Sequence, residues 1–343
     1  MRRNASIWPG IAIVVLCLFG VAAPVAAQQD CTAAPPPVIS MTYVSRYDDD
    51  DSARATLDED REAEVESALA PLDGFIDELA DQTEGLYVGS IKERTTVADC
   101  IVARLGEWAD ADALSDLGTE TVQLTIGARL AGFALVLWQT TPYTADDPRR
   151  AVVLDWLGRR MRAQIDFWAD APGRSQQGNL RAWAALAAAA ISVHSDAADM
   201  RDWAAESLDE VMCSASVDGS LPQEMRRGKF GLHYQLHAIA PLVTTALLLE
   251  RQQIPATEIC EGALHRIVEF AASDLIDGAK SAEITGVEQS FFDGTQELTA
   301  YQLAWIEQYL LLRKNPTLEA LAEGLRPLIY TKLGGNQTEL WGR

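Results

Sequence analysis

A polar segment at residues 221–237 stands out in an otherwise apolar half of the chain, because it holds three cations, a tyrosine and two histidines. Side chains of these types could carry acid–base chemistry. If a helix already covers Arg227, this residue and Tyr234 share one face, since they lie two turns apart, and His237 follows one turn later. The alternative interpretation is a capped helix end with solvated cations and a tyrosine at the edge of the core.

The two histidines of this segment raise the question of a metal site. His233 and His237 have the i, i+4 spacing of a helical zinc pair, but Tyr234 stands where an HExxH protease needs its glutamate. The sequence has no obvious cluster that would supply a third ligand. We therefore predict that no metal ion is bound.

Two other places hold candidate residues. Asn179 follows Gly178 at a helix entrance, where it is expected as an N-cap, and Trp183 would pack or form the wall of a cleft. Arg46 and Tyr47 precede an acidic run on a loop that could close over a ligand or form an exposed strap. Nucleophilic catalysis finds no support, since the chain has neither a GxSxG motif nor a Gly-rich phosphate loop.

An all-α fold is predicted by apolar residues that recur at spacings of three and four from Thr56 onward. Short stretches that contain helix-breaking residues such as Pro and Gly separate these segments. Several segments are apolar on more than one side, which favours an inner and an outer layer of antiparallel helix pairs in a ring. The Ala-rich run from Trp183 to Ile191 suits an inner helix that approaches its neighbours closely. The predicted helices cover residues 56–82, 97–114, 119–139, 148–169, 179–193, 197–212, 230–251, 256–275, 296–313 and 317–328.

The composition excludes two broad classes of protein. Of the 343 residues, 48% are apolar, which is typical of packed globular domains rather than disordered chains. The formal net charge of −22 argues against a general nucleic-acid binder, which needs a basic face. No segment reads as a linker between domains, so we predict a single folded domain.

The first 27 residues are predicted to be a cleaved signal peptide. A basic start precedes an apolar run from Ile11 to Ala23, and small residues follow at the positions that a signal peptidase recognises. The apolar run is too short for a good membrane span, and the residues before Cys31 do not form a lipoprotein pattern. We therefore expect a soluble, exported, periplasmic protein without a membrane anchor after cleavage.

The cysteine count agrees with export. Cys17 leaves with the signal peptide, and the four that remain would form two disulfides in an oxidising compartment, with three possible pairings. We favour Cys31–Cys100 and Cys213–Cys260. The competing interpretation is four buried free thiols.

A series of short motifs in one order runs through nearly the whole chain after residue 27. They are Cys31, Pro35-Pro36-Pro37, Ser45-Arg46-Tyr47, Asp51 to Leu57, Cys100, Gly178-Asn179 with Trp183, Asp218-Gly219, Leu221-Pro222 with Glu224, Arg227, Tyr234, Pro241-Leu242, Ala304 to Glu307 with Tyr309, and Leu333-Gly334-Gly335. In these motifs the chain resembles the alginate lyases of the periplasmic poly(β-D-mannuronate) lyase type, polysaccharide lyase family 5. The resemblance implies an incomplete (α/α) toroid at residues 56–343, preceded by an extended segment with a lid-like loop at 28–55.

The resemblance also implies a reaction, the β-elimination of a uronic acid polymer such as mannuronate-rich alginate, for which no cofactor is needed. Asn179 and Arg227 would neutralise the C5 carboxylate of the sugar and stabilise the enolate-like transition state. Tyr234 would protonate the departing O4 and, in a syn elimination, also remove the C5 proton. Its ordinary pKa of about 10 would have to be lowered by a cation such as Arg227 for it to act as a base near neutrality.

The family pattern at this place is Asn-Asn-His and, after one further residue, Tyr-Trp. This chain departs from it, because Leu180 occupies the place of the histidine and Ala182 occupies that of the tyrosine. Tyr234 could perform both proton transfers, His233 or His237 could supply the missing imidazole, or cleavage could be lost. The competing hypotheses are a lyase for mannuronate-rich alginate, a lyase for another uronan such as polyglucuronate, and a catalytically impaired protein that binds exopolysaccharide or assists its secretion. Contacts to the anionic polysaccharide are implied for Arg46, Tyr47, Arg181, Trp183, His233 and His237.

Overall fold

The computed structural model describes residues 31–195 and 197–342. The predicted signal peptide and Cys17 lie outside these residues. From Thr32 to Arg343 the chain forms one compact unit.

The described residues fold mainly into helices. The helices are α1 (Glu59–Thr83), α2 (Ile91–Asp110), α3 (Glu120–Thr125), α4 (Gly127–Thr144), α5 (Pro148–Ala169), α6 (Asn179–Ser192), α7 (Ala198–Met212), α8 (Pro222–Met225), α9 (Gly231–Arg251), α10 (Ile259–Asp274), α11 (Ala279–Thr285), α12 (Ile306–Leu312), α13 (Pro316–Leu325) and α14 (Gln337–Trp341). Short strands form two pairs, β1 (Ser40–Met41) parallel to β2 (Asp116–Leu117) and β3 (Ile329–Tyr330) antiparallel to β4 (Gly335–Asn336). The all-α prediction is confirmed.

The helices pack in two layers. Helices α4, α6 and α9 are neighbours in the interior. Each is followed along the chain by an outer helix, which is α5 after α4, α7 after α6 and α10 after α9. Every residue from Trp183 to Ile191 is at most 2% exposed, so the Ala-rich segment is the inner helix that was predicted. Two stretches that contain inner helices, Glu120–Gln139 and Gly228–Arg251, are apolar enough to span a membrane by composition, but most of each is buried inside the protein.

Local capping signals account for the helix boundaries. Helix α5 matches its prediction because Asp147 caps it and Pro148 occupies its first position. Helix α2 begins six residues before the predicted start, since Ser90 and Glu93 form a capping box there. The predicted helix 119–139 is divided at Ile126 into α3 and α4.

Disulfides join distant parts of the chain as predicted. Cys213, which directly follows α7, is bonded to Cys260 at the start of α10, 47 residues later. Cys31 and Cys100 are also disulfide-bonded. All four predicted cysteines are therefore oxidised.

We expect Gly219→Ala to destabilise the folded protein far more than a glycine-to-alanine substitution at an open position. Gly219 has φ +94°, and a Cβ there would collide with the main-chain carbonyl of Arg266. We expect this substitution to lower the free energy of unfolding by about 4 kcal/mol or more. In Gly74→Ala, the matched control inside α1, the new methyl meets nothing within 4 Å, and a gain of about 0.5 kcal/mol is expected. Urea denaturation of both variants tests this, and equal midpoints would contradict it.

Candidate active site

The first turns of α6 and α9 lie side by side at one end of the barrel. The Trp183 indole N–H, near the start of α6, donates to His237 Nε2 in the second turn of α9 at 3.0 Å. At the opposite ends of the same helices, Ser192 hydrogen-bonds Gln252. The two helices are therefore parallel, and their N-terminal ends share one site.

Tyr234 lies at the centre of this site. The Arg227 guanidinium stacks on its ring, 3.7 Å from the ring centroid, and also lies 4.8 Å from the centroid of the Tyr47 ring. The hydroxyls of Tyr47 and Tyr234 are hydrogen-bonded to each other. Tyr47 and Arg227 thus meet at the Tyr234 phenol. Helix α9 begins only at Gly231 and does not cover Arg227, so Arg227 reaches Tyr234 from the preceding turn and not from a shared helix face.

Burial and charge act in opposite directions on the pKa of Tyr234. Removal from water raises the pKa above its ordinary value, whereas the positive charge of Arg227 lowers it. Burial has the larger effect, so the phenol is protonated at neutral pH in the substrate-free protein. Arg227 therefore lies beside Tyr234, but its charge alone does not keep Tyr234 deprotonated.

A strap at residues 45–58 carries Tyr47 over the site. Its two arms pair through the bridge between Tyr47 and Leu57. The carboxylate of Asp51 accepts hydrogen bonds from three main-chain N–H groups at the tip of the strap, which lower the pKa of Asp51 to about 2. Arg227 closes the strap, because its Nη2 and Nε donate to the carbonyl oxygen of Arg54 at 2.6 and 3.2 Å.

Asn179 is the first residue of α6 rather than its N-cap, which is Gly178. Its main-chain N–H donates to Glu224 Oε1 at 2.7 Å, and its side-chain Nδ2 donates to Glu224 Oε2 at 2.9 Å. The expected capping role of Asn179 is therefore wrong, because a carboxylate from α8 satisfies the start of the helix instead. Glu224 belonged to the sequence motifs, but no role had been predicted for it.

His233, His237 and Trp183 form the wall next to Tyr234. Trp183 also packs edge-on against Tyr330. Desolvation lowers the pKa of His233 to about 4, and it holds the pKa of His237 well below its ordinary value, so both imidazoles are neutral near pH 7. Because His237 Nε2 accepts the indole hydrogen bond, its proton lies on Nδ1.

The predicted residues Arg46 and Arg181, and Leu180 in the place of the family histidine, contact other parts of the fold. The Arg46 guanidinium is 3.6 Å from Glu62 on α1. Arg181 turns towards α7, where it hydrogen-bonds Ser207 and stacks on Trp203. Leu180 packs against an apolar cluster that contains Leu124, Trp168 and Ala184.

Cations that the sequence analysis did not select also approach the cleft. Lys332 follows β3, and burial lowers its pKa to about 8. Arg129 of α4 is paired with Asp73 of α1 at 2.8 Å. Lys332, Arg227 and Arg129 each contribute to lowering the pKa of His237, which shows that positive charge surrounds this imidazole. The site therefore suits an anionic ligand.

No metal-binding arrangement forms at the two histidines of α9. Within the described ranges, the one group of His, Cys, Asp and Glu side chains with ligand atoms close together is Asp209, Cys213 and Cys260. Its two cysteines are oxidised to a disulfide and offer no thiolate.

Comparison with known proteins agrees with this architecture. Residues 123–281 match the family model described as alginate lyase. The chain is 25% identical to an alginate lyase of Pseudomonas paraeruginosa, with 91% of this chain and 86% of that protein covered. It is 26% identical to an alginate lyase of Pseudomonas putida, with 91% and 85% covered.

Solved structures show the same fold. A histidine-to-alanine variant of alginate lyase A1-III in complex with a tetrasaccharide superposes with a TM-score of 0.77 at 24% identity, covering 93% of this chain and 88% of that one. Alginate lyase A1-III from Sphingomonas species A1 gives a TM-score of 0.74 at 23% identity, covering 91% and 87%. Residues 123–281 therefore match the alginate lyase family model, and the chain has the α/α toroid fold that its motifs implied.

Proposed function

We propose that this protein is an exported lyase that cleaves mannuronate-rich alginate by β-elimination. The observation that carries the proposal is the stacking of the Arg227 guanidinium on the Tyr234 ring, close to Glu224, which accepts the hydrogen bonds of Asn179 and whose pKa the charge of Arg227 lowers. Tyr234, Arg227 and Asn179 are a proton-transfer group, a cation and a neutral hydrogen-bond donor, which are the groups that elimination next to a carboxylate requires. The tetrasaccharide complex of alginate lyase A1-III supports an oligosaccharide as the ligand.

The proposed reaction follows from the roles of these groups. The uronate carboxylate binds Arg227 and Asn179, which stabilise the negative charge that develops when C5 loses its proton. Tyr234 first loses its own proton to solvent, and the resulting phenolate takes the C5 proton. The electron pair left on C5 forms the C4–C5 double bond as the C4–O4 bond breaks. The same hydroxyl then returns the C5 proton to O4, which regenerates the phenolate.

The single phenol favours mannuronate as the sugar that is cleaved. Mannuronate and guluronate are C5 epimers, and the C5 hydrogen lies on the same face as O4 only in mannuronate. In mannuronate, one hydroxyl can therefore reach both the C5 hydrogen and O4. Anti elimination would need a second base on the opposite face of the sugar. Leu180 has no proton acceptor, and His237 Nε2 already accepts the Trp183 N–H, so neither residue supplies this base.

We expect polymannuronate to be cleaved at least about tenfold faster than polyguluronate, because a single phenol supports only syn elimination. Ultraviolet absorbance of the new C4–C5 double bond measures all three substrates side by side. Preference for polyguluronate would overturn the proposed stereochemistry. Preference for polyglucuronate would show that the substrate of the lyase is a uronan other than alginate.

The second candidate is a catalytically impaired protein that binds exopolysaccharide or assists its secretion, and Leu180 in the place of the family histidine favours it. This candidate predicts binding of mannuronate oligosaccharides without any new double bond. Turnover on any of the three polymers would exclude it.

The proposed location is the periplasm. The disulfide-bonded cysteines support it, because such bonds persist in oxidising compartments. Recovery of protein from the periplasm with an N-terminus near residue 28 tests the proposal, and recovery of the full-length chain from the cytoplasm would contradict it.

A further inference from the structure

Glu224 is a buried carboxyl that contacts the site through one residue. It is 1% exposed, and each of its two oxygens accepts a hydrogen bond from Asn179, one from the main chain and one from the side chain. Asn179 is itself only 6% exposed. The carboxyl and the amide thus form a closed pair between α8 and α6.

This pairing determines which way the Asn179 amide faces. Because both Glu224 oxygens act as acceptors, the observed geometry favours the ionised carboxylate. The carboxylate draws Nδ2, and not the amide oxygen, towards α8. The amide can then offer a substrate its second Nδ2 hydrogen at one fixed position.

We propose that Glu224 is a positioning residue that orients the Asn179 amide towards the carboxylate of the bound uronate. The inference rests on the proposed function, since it names a further residue for that reaction. Glu224 does not touch the substrate and acts only through Asn179.

The surroundings of Glu224 show that its ionisation is finely balanced. Burial raises the pKa of Glu224 to about 7, whereas the Asn179 hydrogen bonds and the positive charge of Arg227 lower it. Helices α9 and α11 also pack on α8, and none of their described titratable groups acts on this carboxyl. The Asn179 amide is therefore expected to respond to pH near neutrality.

Space around the carboxylate is also restricted. A Cβ at position 178 would lie 3.2 Å from Glu224 Oε1, so Gly178 allows the carboxylate to reach the first turn of α6. The alternative role of Glu224 is a simple cap of α6, which would stabilise the helix without controlling the amide.

The substitution Glu224→Gln separates these roles. One glutamine oxygen can still accept the Asn179 main-chain N–H, but the new NH₂ group then faces Nδ2, donor against donor, and the Asn179 amide must turn over. The substitution also removes a negative charge close to a polyanion site, which by itself would tighten binding. Weaker binding is therefore expected only if orientation of the amide matters.

Binding is measured calorimetrically with a mannuronate tetrasaccharide in a Tyr234→Phe background, so that the ligand is not consumed. We expect Glu224→Gln to weaken binding about tenfold, and to have no further effect when Asn179→Ala is already present. The control Glu283→Gln, an exposed carboxylate on α11, should leave affinity unchanged. Unchanged or tighter binding by Glu224→Gln, or an equal loss in the Asn179→Ala background, would overturn the proposal.

A second measurement does not depend on substrate. The side-chain NH₂ signals of Asn179, assigned in ¹⁵N-labelled protein through Asn179→Ala, should titrate with a midpoint near pH 7, and Glu224→Gln should abolish this titration. Signals that Glu224→Gln leaves unchanged would contradict the inference even if the protein is an active lyase. Signals that titrate as expected in a protein that neither binds nor cleaves a uronate polymer would instead contradict the proposed function.

Discussion

Tyr234→Phe is expected to reduce kcat on polymannuronate by about 10³-fold or more while the protein stays folded. The substitution removes one hydroxyl, and the proposed reaction uses that hydroxyl both to take the C5 proton and to protonate O4. The phenyl ring can still pack below the Arg227 guanidinium, which lies 3.7 Å from the ring centroid. Initial rates of double-bond formation and thermal unfolding curves measure the two effects.

The matched control for this substitution is Tyr143→Phe. The Tyr143 hydroxyl donates to the carbonyl of Leu86, away from the site, so its removal should leave kcat unchanged. A Tyr234→Phe variant that retains more than about a tenth of the activity would show that another group transfers the protons.

Arg227→Met is expected to lower kcat/KM by about 10²-fold to 10³-fold. The substitution removes the cation that would neutralise the uronate carboxylate. It also removes the charge that opposes the burial-induced rise in the pKa of Tyr234. Since the phenolate is the base, activity should increase with pH, and without Arg227 this increase should be displaced to higher pH. A pH profile of kcat/KM for both proteins measures the displacement.

Arg226→Met is the matched control for the change in net charge. Arg226 is the preceding residue and is exposed, so we expect its loss to change kcat/KM by less than about twofold. Equal losses in the two variants would mean that overall charge, and not the stacked guanidinium, supports the reaction. An unshifted pH profile in Arg227→Met would mean that Arg227 does not act on Tyr234.

Local sequence signals predicted most of the helices. Helix α5 was predicted with its observed bounds, because Asp147 and Pro148 mark its start directly in the sequence. Short elements were missed, among them α8 and α14, since four or five residues show no helical period. The predicted helix 296–313 contains only a 3₁₀ turn at 300–303 and α12.

The sequence paired Arg227 with Tyr234 on the condition that one helix covers both. The two side chains are in contact, but α9 begins only at Gly231, so the preceding turn and not a helix face brings them together. The contact between Asn179 and Glu224 spans 45 residues and depends on how α8 packs, which periodicity does not encode. The outward position of Arg181 follows from helix geometry, because it lies two residues, about 200°, from both Asn179 and Trp183.

Arg227 closes the strap through the main-chain carbonyl of Arg54 and not through a side chain. A uronate that reaches the cleft must compete with this carbonyl for the same guanidinium, and a carboxylate is the stronger acceptor. A neutral glycan offers only hydroxyls and cannot displace it. If the protein acts as proposed, we therefore expect charge discrimination to begin at the strap, before any sugar reaches Tyr234, and uncharged polymers to be rejected there.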